Sequence, residues 1–280
     1  LSALAFESIK DAAEYPVKAD WKAKADKKGP IGGAHQQPTV LYNGMAAAYA
    51  PMAMRGFIWY QGCSNVGHHD EFVARMQDLV RQWRSDWNDT AGAMPFYMVE
   101  IAPYLYSGDN SGDGGAWLRQ AQHEAAKGIP NCGIITTNDL VAPYEAGNIH
   151  PCRKEPVGNR LAYMALNRDY GYTRIACDSP EAVSISKVEG RFGEVTRVEL
   201  VNCAHGISRT REIEGMEVCG ADGVWHKIDQ VQFSRGGIVP VCREVQDIRE
   251  VRYGWGDFKP GNILSNEGLP LVPFWLKLEQ

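Results

Sequence analysis

No apolar run in this 280-residue chain approaches the ~18 residues that a bilayer-spanning helix needs, so no membrane span is expected. Basic blocks are missing as well: 29 Lys and Arg stand against 34 Asp and Glu, for a net charge of −5 and a pI near 5.8. That balance argues against a nucleic-acid partner and is read as serving solubility. The seven cysteines, at 63, 132, 152, 177, 203, 219 and 242, show no CxxC spacing, and the histidines do not gather into a ligand set. Neither a metal site nor a cofactor is therefore expected. An odd number of cysteines leaves at least one thiol unpaired, and most of them read as small buried hydrophobes. A disulfide would form only on export, and the sequence does not choose its pair. Internal repeats and low-complexity segments are absent too. Leu1 is not an initiator methionine and opens no signal-peptide pattern, from which we expect a chain that has lost its N-terminal part. The sequon Asn88-Asp-Thr90 carries meaning only in a host that glycosylates exported proteins.

What is present suffices for an ordinary globular core, since 44% of the residues are hydrophobic. Residues 1–37 open with a helix-compatible stretch at 4–15 and end glycine-rich at 29–33, which reads as a surface excursion. Met45 to Met54 is rich in alanine and methionine and reads as a short buried helix. Phe57, Ile58, Trp59 and Tyr60 are β-branched or aromatic and too few for a helix, so they read as a strand buried on both faces, ending near residue 62. From Asp70 to Trp87 the apolar residues fall at 72, 76, 79, 80, 83 and 87, one stripe at helical period, with Asp70 as the candidate N-cap. The two tryptophans of that stripe, Trp83 and Trp87, read as core. Residues 95–101 and 133–137 read as further buried strands, separated by the soft loop YSGDNSGDGG and a helix at 117–127. Strand and helix in alternation imply a parallel sheet covered by helices. After Tyr172 short alternating stretches such as VSISKV, TRVELVNC and REVRYGW mark an antiparallel β region. The expected division is an α/β domain at 1–174, truncated at its N-terminus, and an antiparallel β domain at 175–280.

Two stretches carry the chemistry. The strand at 57–62 ends in QGCSN, and ligands of open α/β sheets sit beyond the carboxyl ends of strands. There Gly62 would let a backbone N–H approach a ligand, and Asn65 would add a side-chain donor, so that the pair can hold a developing oxyanion. A Gly/Asn turn closing a strand is equally ordinary loop chemistry. Some 85 residues beyond Asn65 comes GNIHPCRKEPVGNRLAYMAL, with His150 on a loop ahead of a helix in which Pro156 suits the first turn and Val157, Leu161, Met164 and Ala165 form an apolar stripe. A histidine so placed is a candidate base, or simply a surface loop histidine. Parallel strands present their carboxyl ends on one edge, so Gly62, Asn65 and His150 are expected to converge on one crevice.

Taken together, QGCSN and NIHP, along with PTVLYNGM (38–45), WLRQAQ (117–122) and VRYGWGDFKPGNILSNEGLPLVPF (251–274), resemble the sialate O-acetylesterases, carbohydrate esterases of the SGNH hydrolase superfamily. The resemblance implies a three-layer, flavodoxin-like parallel sheet, an acetylated sugar such as sialic acid as substrate, and an extracytoplasmic setting. It implies His150 as base, Gly62 and Asn65 as the oxyanion hole, and a contact of Gln61 with substrate. Three departures stand out. The family's GQSN block, which carries the nucleophilic serine, has no counterpart here, so the nucleophile is expected on a missing N-terminal segment. The family's glutamate of QGESN is replaced by Cys63, itself an alternative nucleophile without a neighbouring base. The aspartate of DIHP is replaced by Asn148, which leaves the orientation of His150 to Asn148, to Asp139 at the end of the GIITT strand, or to a backbone carbonyl. Two functions follow: an acetylesterase of which this is the C-terminal part, or a carbohydrate-binding homologue that has lost catalysis.

Overall fold

The computed structural model describes residues 39–50, 52–191, 193–210, 212–234 and 236–279; the stretches expected as a helix at 4–15 and as a glycine-rich excursion at 29–33 lie outside the described residues. The chain forms two compact units. One ends its first segment at Val99 and adds Ala121–Ile134; the other joins Glu100–Gln120 to Ile135–Gln280.

The first unit is built on β1 (Phe57–Trp59), helix α1 (His69–Asp86) and β2 (Phe96–Val99). β1 and β2 run parallel, with Phe57 opposite Phe96 and Trp59 opposite Met98. Helix α2 (Gly114–Gly128) belongs to this unit from Ala121 onward and β3 (Cys132–Ile135) as far as Ile134, and the three strands lie in the order β1-β2-β3. The N–H of Phe96 donates to the Asn131 carbonyl at 3.1 Å and that of Glu100 to the Ile135 carbonyl at 3.0 Å, so the bonds advance together along both segments, as in a parallel pair. α1 buries Phe72, Met76, Leu79 and Val80, the stripe its period foretold. Trp83 and Trp87 pack around Phe57 at ring-centroid distances of 5.3 and 5.2 Å, which is core packing as expected.

Three local expectations need correction. Ile58 is 68% and Tyr60 41% exposed while Phe57 is 6%, so the strand is not buried on both faces. β1 is an edge strand among the described residues: Phe57 and Trp59 face the Trp83 ring, and alternation turns Ile58 the other way, where none of these residues covers it. The stretch Met45–Met54 is not a buried helix. A π-helical turn at Tyr42–Ala46 leads into one α-helical turn at Ala47–Tyr49, neither burying any residue, and Met45 and Met52 are exposed. Alanine favours the helical backbone but offers little apolar surface to dock. Asp70 is not the N-cap. The helix begins at His69, His68 occupies the cap position without a side-chain bond, and Asp70 and Glu71 lie in the first turn, where carboxylates complement the helix dipole.

In the second unit α3 (Lys154–Asp169) carries Pro156 in its first turn and buries Val157, Arg160, Leu161 and Met164. Just beyond the composition change near residue 175 come β4 (Glu181–Gly190), β5 (Gly193–Val201), β6 (Met216–Cys219), β7 (Trp225–Lys227), β8 (Gln230–Ser234), β9 (Gly237–Val241), β10 (Glu250–Tyr253) and β11 (Phe274–Lys277). They form two four-stranded sheets, β4-β5-β9-β8 and β11-β10-β6-β7, with antiparallel pairings throughout. Alternate residues of both sheets, among them Ile185, Val198 and Ile238 from one and Val218, Val251 and Phe274 from the other, bury one shared apolar core. The fold is thus mixed α/β, with a parallel sheet and antiparallel sheets.

Candidate active site

In the first unit the backbone leaves β1 through Gly62, whose φ of 149° and ψ of −22° suit glycine and strain any residue with a Cβ. Residues Cys63–Asn65 then form a 3-10 turn closed by the Asn65 N–H on the Gly62 carbonyl at 2.7 Å. Asn65 is only 2% exposed. Its Oδ1 accepts from Gln61 Nε2 at 2.7 Å, and the Gln61 backbone carbonyl in turn accepts from Gln122 Nε2 at 3.0 Å. The Asn65 Nδ2 takes no hydrogen-bond partner among the described residues. A buried carboxamide with its acceptor end tied down and its donor end unspent is equipped to bind an anionic oxygen. Gln61, expected to contact substrate, directs its amide nitrogen at Asn65. Cys63 is a free, partly buried thiol.

In the second unit the chain from β3 to α3 is tied down by Glu145, which is 4% exposed at the end of the 3-10 turn Pro143–Glu145. Its Oε1 accepts the Cys152 N–H at 2.9 Å, its Oε2 accepts the Ala142 N–H at 3.1 Å, and its backbone carbonyl accepts the Asn148 N–H at 2.7 Å. These two backbone donors, Cys152 first and Ala142 second, hold the Glu145 carboxyl below the usual carboxylate range. The Asn148 Oδ1 accepts the backbone N–H of His150 at 2.9 Å, an Asx turn that sets the direction of the chain at His150. The His150 side chain is exposed and its ring has no hydrogen-bond partner among the described residues. Asp139 gives both carboxylate oxygens to Arg160, at 2.8 and 2.6 Å, and Arg160 also donates to the Thr136 carbonyl at 2.8 Å. Asn148 and Asp139 therefore serve a backbone turn and a buried ion pair. Gly62, Asn65 and Gln61 belong to the first unit, and His150, Asn148 and Asp139 to the second.

Sequence reasoning missed Gln122, Glu145 and Arg160. Arg160 had a signal: it lies on the same face of α3 as Val157, Leu161 and Met164, and a charge on an apolar stripe demands a buried partner. Elsewhere in the second unit two of the blocks that carried the resemblance meet. Arg119 of WLRQAQ, 1% exposed, donates to the carbonyls of Gly254 and Gly256 at 3.2 and 2.5 Å, and burial pushes its pKa down. Asp257 accepts the N–H of Gly115 at 2.9 Å and of Ser107 at 2.8 Å, which fixes the start of α2. Among the described residues no group of three or more His, Cys, Asp or Glu is set to hold a metal ion.

Comparison with known proteins agrees with these blocks. The sialate O-acetylesterase of Mus musculus is 29% identical over 157 residues, which is 51% of this chain and 28% of that protein. That of Homo sapiens is 29% identical over 156 residues, 51% of this chain and 29% of the relative. The matched stretch thus spans under a third of the length of these curated relatives. The crystal structure of a carbohydrate acetylesterase from Xanthomonas citri superposes with a TM-score of 0.74 at 24% identity, covering 96% of this chain and 63% of that one, a likeness of fold. Residues 29–167 match the family described as carbohydrate esterase, sialic acid-specific acetylesterase. Over those residues, just under half of the chain, the sequence is similar to the sialic acid-specific acetylesterase family of carbohydrate esterases.

Proposed function

We propose that this protein is a carbohydrate O-acetylesterase that hydrolyses acetyl esters of sialic acid or a related acetylated sugar, on an SGNH-type three-layer sheet and in an extracytoplasmic setting. The observation that carries the reading is the buried Asn65 carboxamide, its carbonyl held by Gln61 and its NH2 unspent, on a turn that only the backbone of Gly62 permits. In this mechanism His150 takes the proton of a serine hydroxyl supplied from outside the described motifs, and the serine oxygen attacks the acetyl carbon. The carbonyl oxygen becomes an anion that Asn65 Nδ2 and a backbone N–H beside Gly62 hold. Collapse expels the sugar alkoxide, protonated by His150, and water activated by the same imidazole releases acetate from the acyl-enzyme.

The test is acetate release from O-acetylated sialic acid by the full-length source protein. Turnover is expected, with Asn65→Ala lowering kcat about 10²- to 10³-fold, the usual loss for one oxyanion donor. Inactivity of the full-length protein, or indifference to Asn65→Ala, would refute the reading. One observation favours the second reading, a binding protein without catalysis: no hydrogen bond orients the His150 ring among the described residues, and Asn148 replaces a carboxylate. Saturable binding of acetylated sialic acid without acetate release by the full-length protein would establish it.

A further inference from the structure

We infer that Gln122 is a positioning residue that selects the donor-out orientation of Asn65; this rests on the reading of Asn65 as an oxyanion donor. Gln122 is fully buried on α2, where a carboxamide must find partners. It finds one in the Gln61 carbonyl, to which its Nε2 donates at 3.0 Å. That carbonyl is the last before the chain turns at Gly62 with φ 149°, past the end of β1, where no strand ladder is left to satisfy it. With its backbone so anchored, Gln61 reaches four residues on and donates its own Nε2 to Asn65 Oδ1 at 2.7 Å.

The direction of this relay matters because a carboxamide has two nearly isosteric ends of opposite character. A half turn about the terminal bond of Asn65 would exchange NH2 for oxygen and present a lone pair to a developing anion, turning attraction into repulsion. The same half turn would set the Asn65 NH2 against the Gln61 NH2, donor against donor. The relay therefore disfavours the wrong orientation from within the protein and needs no ligand to do so. Gln122 never touches substrate in this scheme: its contribution passes through Gln61. It lies 61 residues from Gln61 in sequence, so the helix α2 holds the loop that follows β1 in register.

Gln122→Met keeps length and volume but cannot donate; Gln122→Glu cannot donate when ionised and can when protonated. In the 280-residue chain, 15N NMR of the side-chain amides reads the device without any turnover. The Asn65 NH2 pair is expected to shift and to exchange faster with solvent in Gln122→Met, while backbone amides of the second unit stay in place. Unchanged Asn65 resonances would overturn the inference, as would a change spread over the whole spectrum. In the full-length source protein, Gln122→Met is expected to lower kcat about 10- to 100-fold with little change in KM, as displaced catalytic groups do. Gln122→Glu should regain kcat relative to the unsubstituted protein as pH falls toward 5, a signature that loss of packing alone would not give; its absence also counts against the relay. A shifted Asn65 amide beside full activity of Asn65→Ala would uphold the relay and refute the esterase reading, so the two failures are distinguishable.

Discussion

Removing Arg160 should unsettle the second unit more than any exposed charge in the chain, and the size of the effect follows from what the guanidinium holds. Arg160 and Asp139 have side chains 7% and 14% exposed, so their pair does not belong with surface ion pairs of small value. Arg160→Met keeps the apolar stem among Val157, Leu161 and Met164 but deletes two bonds to Asp139 and one to the Thr136 carbonyl. A buried carboxylate left without its partner typically costs about 3 to 5 kcal/mol. The slight exposure of Asp139 lets water reach it and places the expected loss in the lower half of that range, about 3 to 4 kcal/mol. For a chain of this size that corresponds to a fall in Tm of about 6 to 16 °C. Asp139→Asn in the Arg160→Met background neutralises the orphaned charge and should recover about 1 to 3 kcal/mol, appearing as a coupling in the double-mutant cycle. Urea unfolding followed by circular dichroism measures all three variants against the parent. A loss below ~1 kcal/mol, the value of an exposed pair, or strict additivity of the two substitutions, would refute the argument.

Gly261→Ala is expected to cost about 1 to 3 kcal/mol by overpacking, because a Cβ there falls onto the hydroxyl of the fully buried Tyr253, which accepts the Ile263 N–H at 2.9 Å; an unchanged thermal transition would contradict this. Glu145 makes the segment 142–152 acid-sensitive: its folded pKa lies below the ordinary 4.5, so its contribution is complete above that value and is lost as pH falls through the lower, folded pKa. Amide hydrogen exchange at Ala142 and Cys152 should therefore lose protection as pH falls below the ordinary carboxyl range, and Glu145→Gln should abolish that pH dependence; protection that persists in acid would count against it.

Much of the local structure was legible in the sequence because it is set by periodicity. The stripe at 72, 76, 79 and 80 could only face a core, and the change to alternating residues after Tyr172 announced antiparallel strands. The motif blocks likewise named the family from local sequence alone, since turns such as Gly62 to Asn65 are encoded by residues a few positions apart. What covers a face is not local. Ile58 has the same β propensity as Phe57, yet one is exposed and the other buried, because of the two only Phe57 meets Trp83 of α1 and Trp87 just beyond it. Strand order is not local either: β9 lies between β5 and β8, and β10 between β11 and β6, arrangements fixed by how two sheets close over one core. In the candidate site, the sequence supplied Asn65, but only the tertiary structure decided which end of its amide stays free, through a glutamine 61 residues from the carbonyl it holds. Asp139 stood open as a partner for His150 until the fold brought Arg160 onto both its oxygens. Propensity and spacing act over a few residues, whereas the partner of a buried charge or amide is chosen by whichever distant side chain the fold leaves within about 3 Å of it.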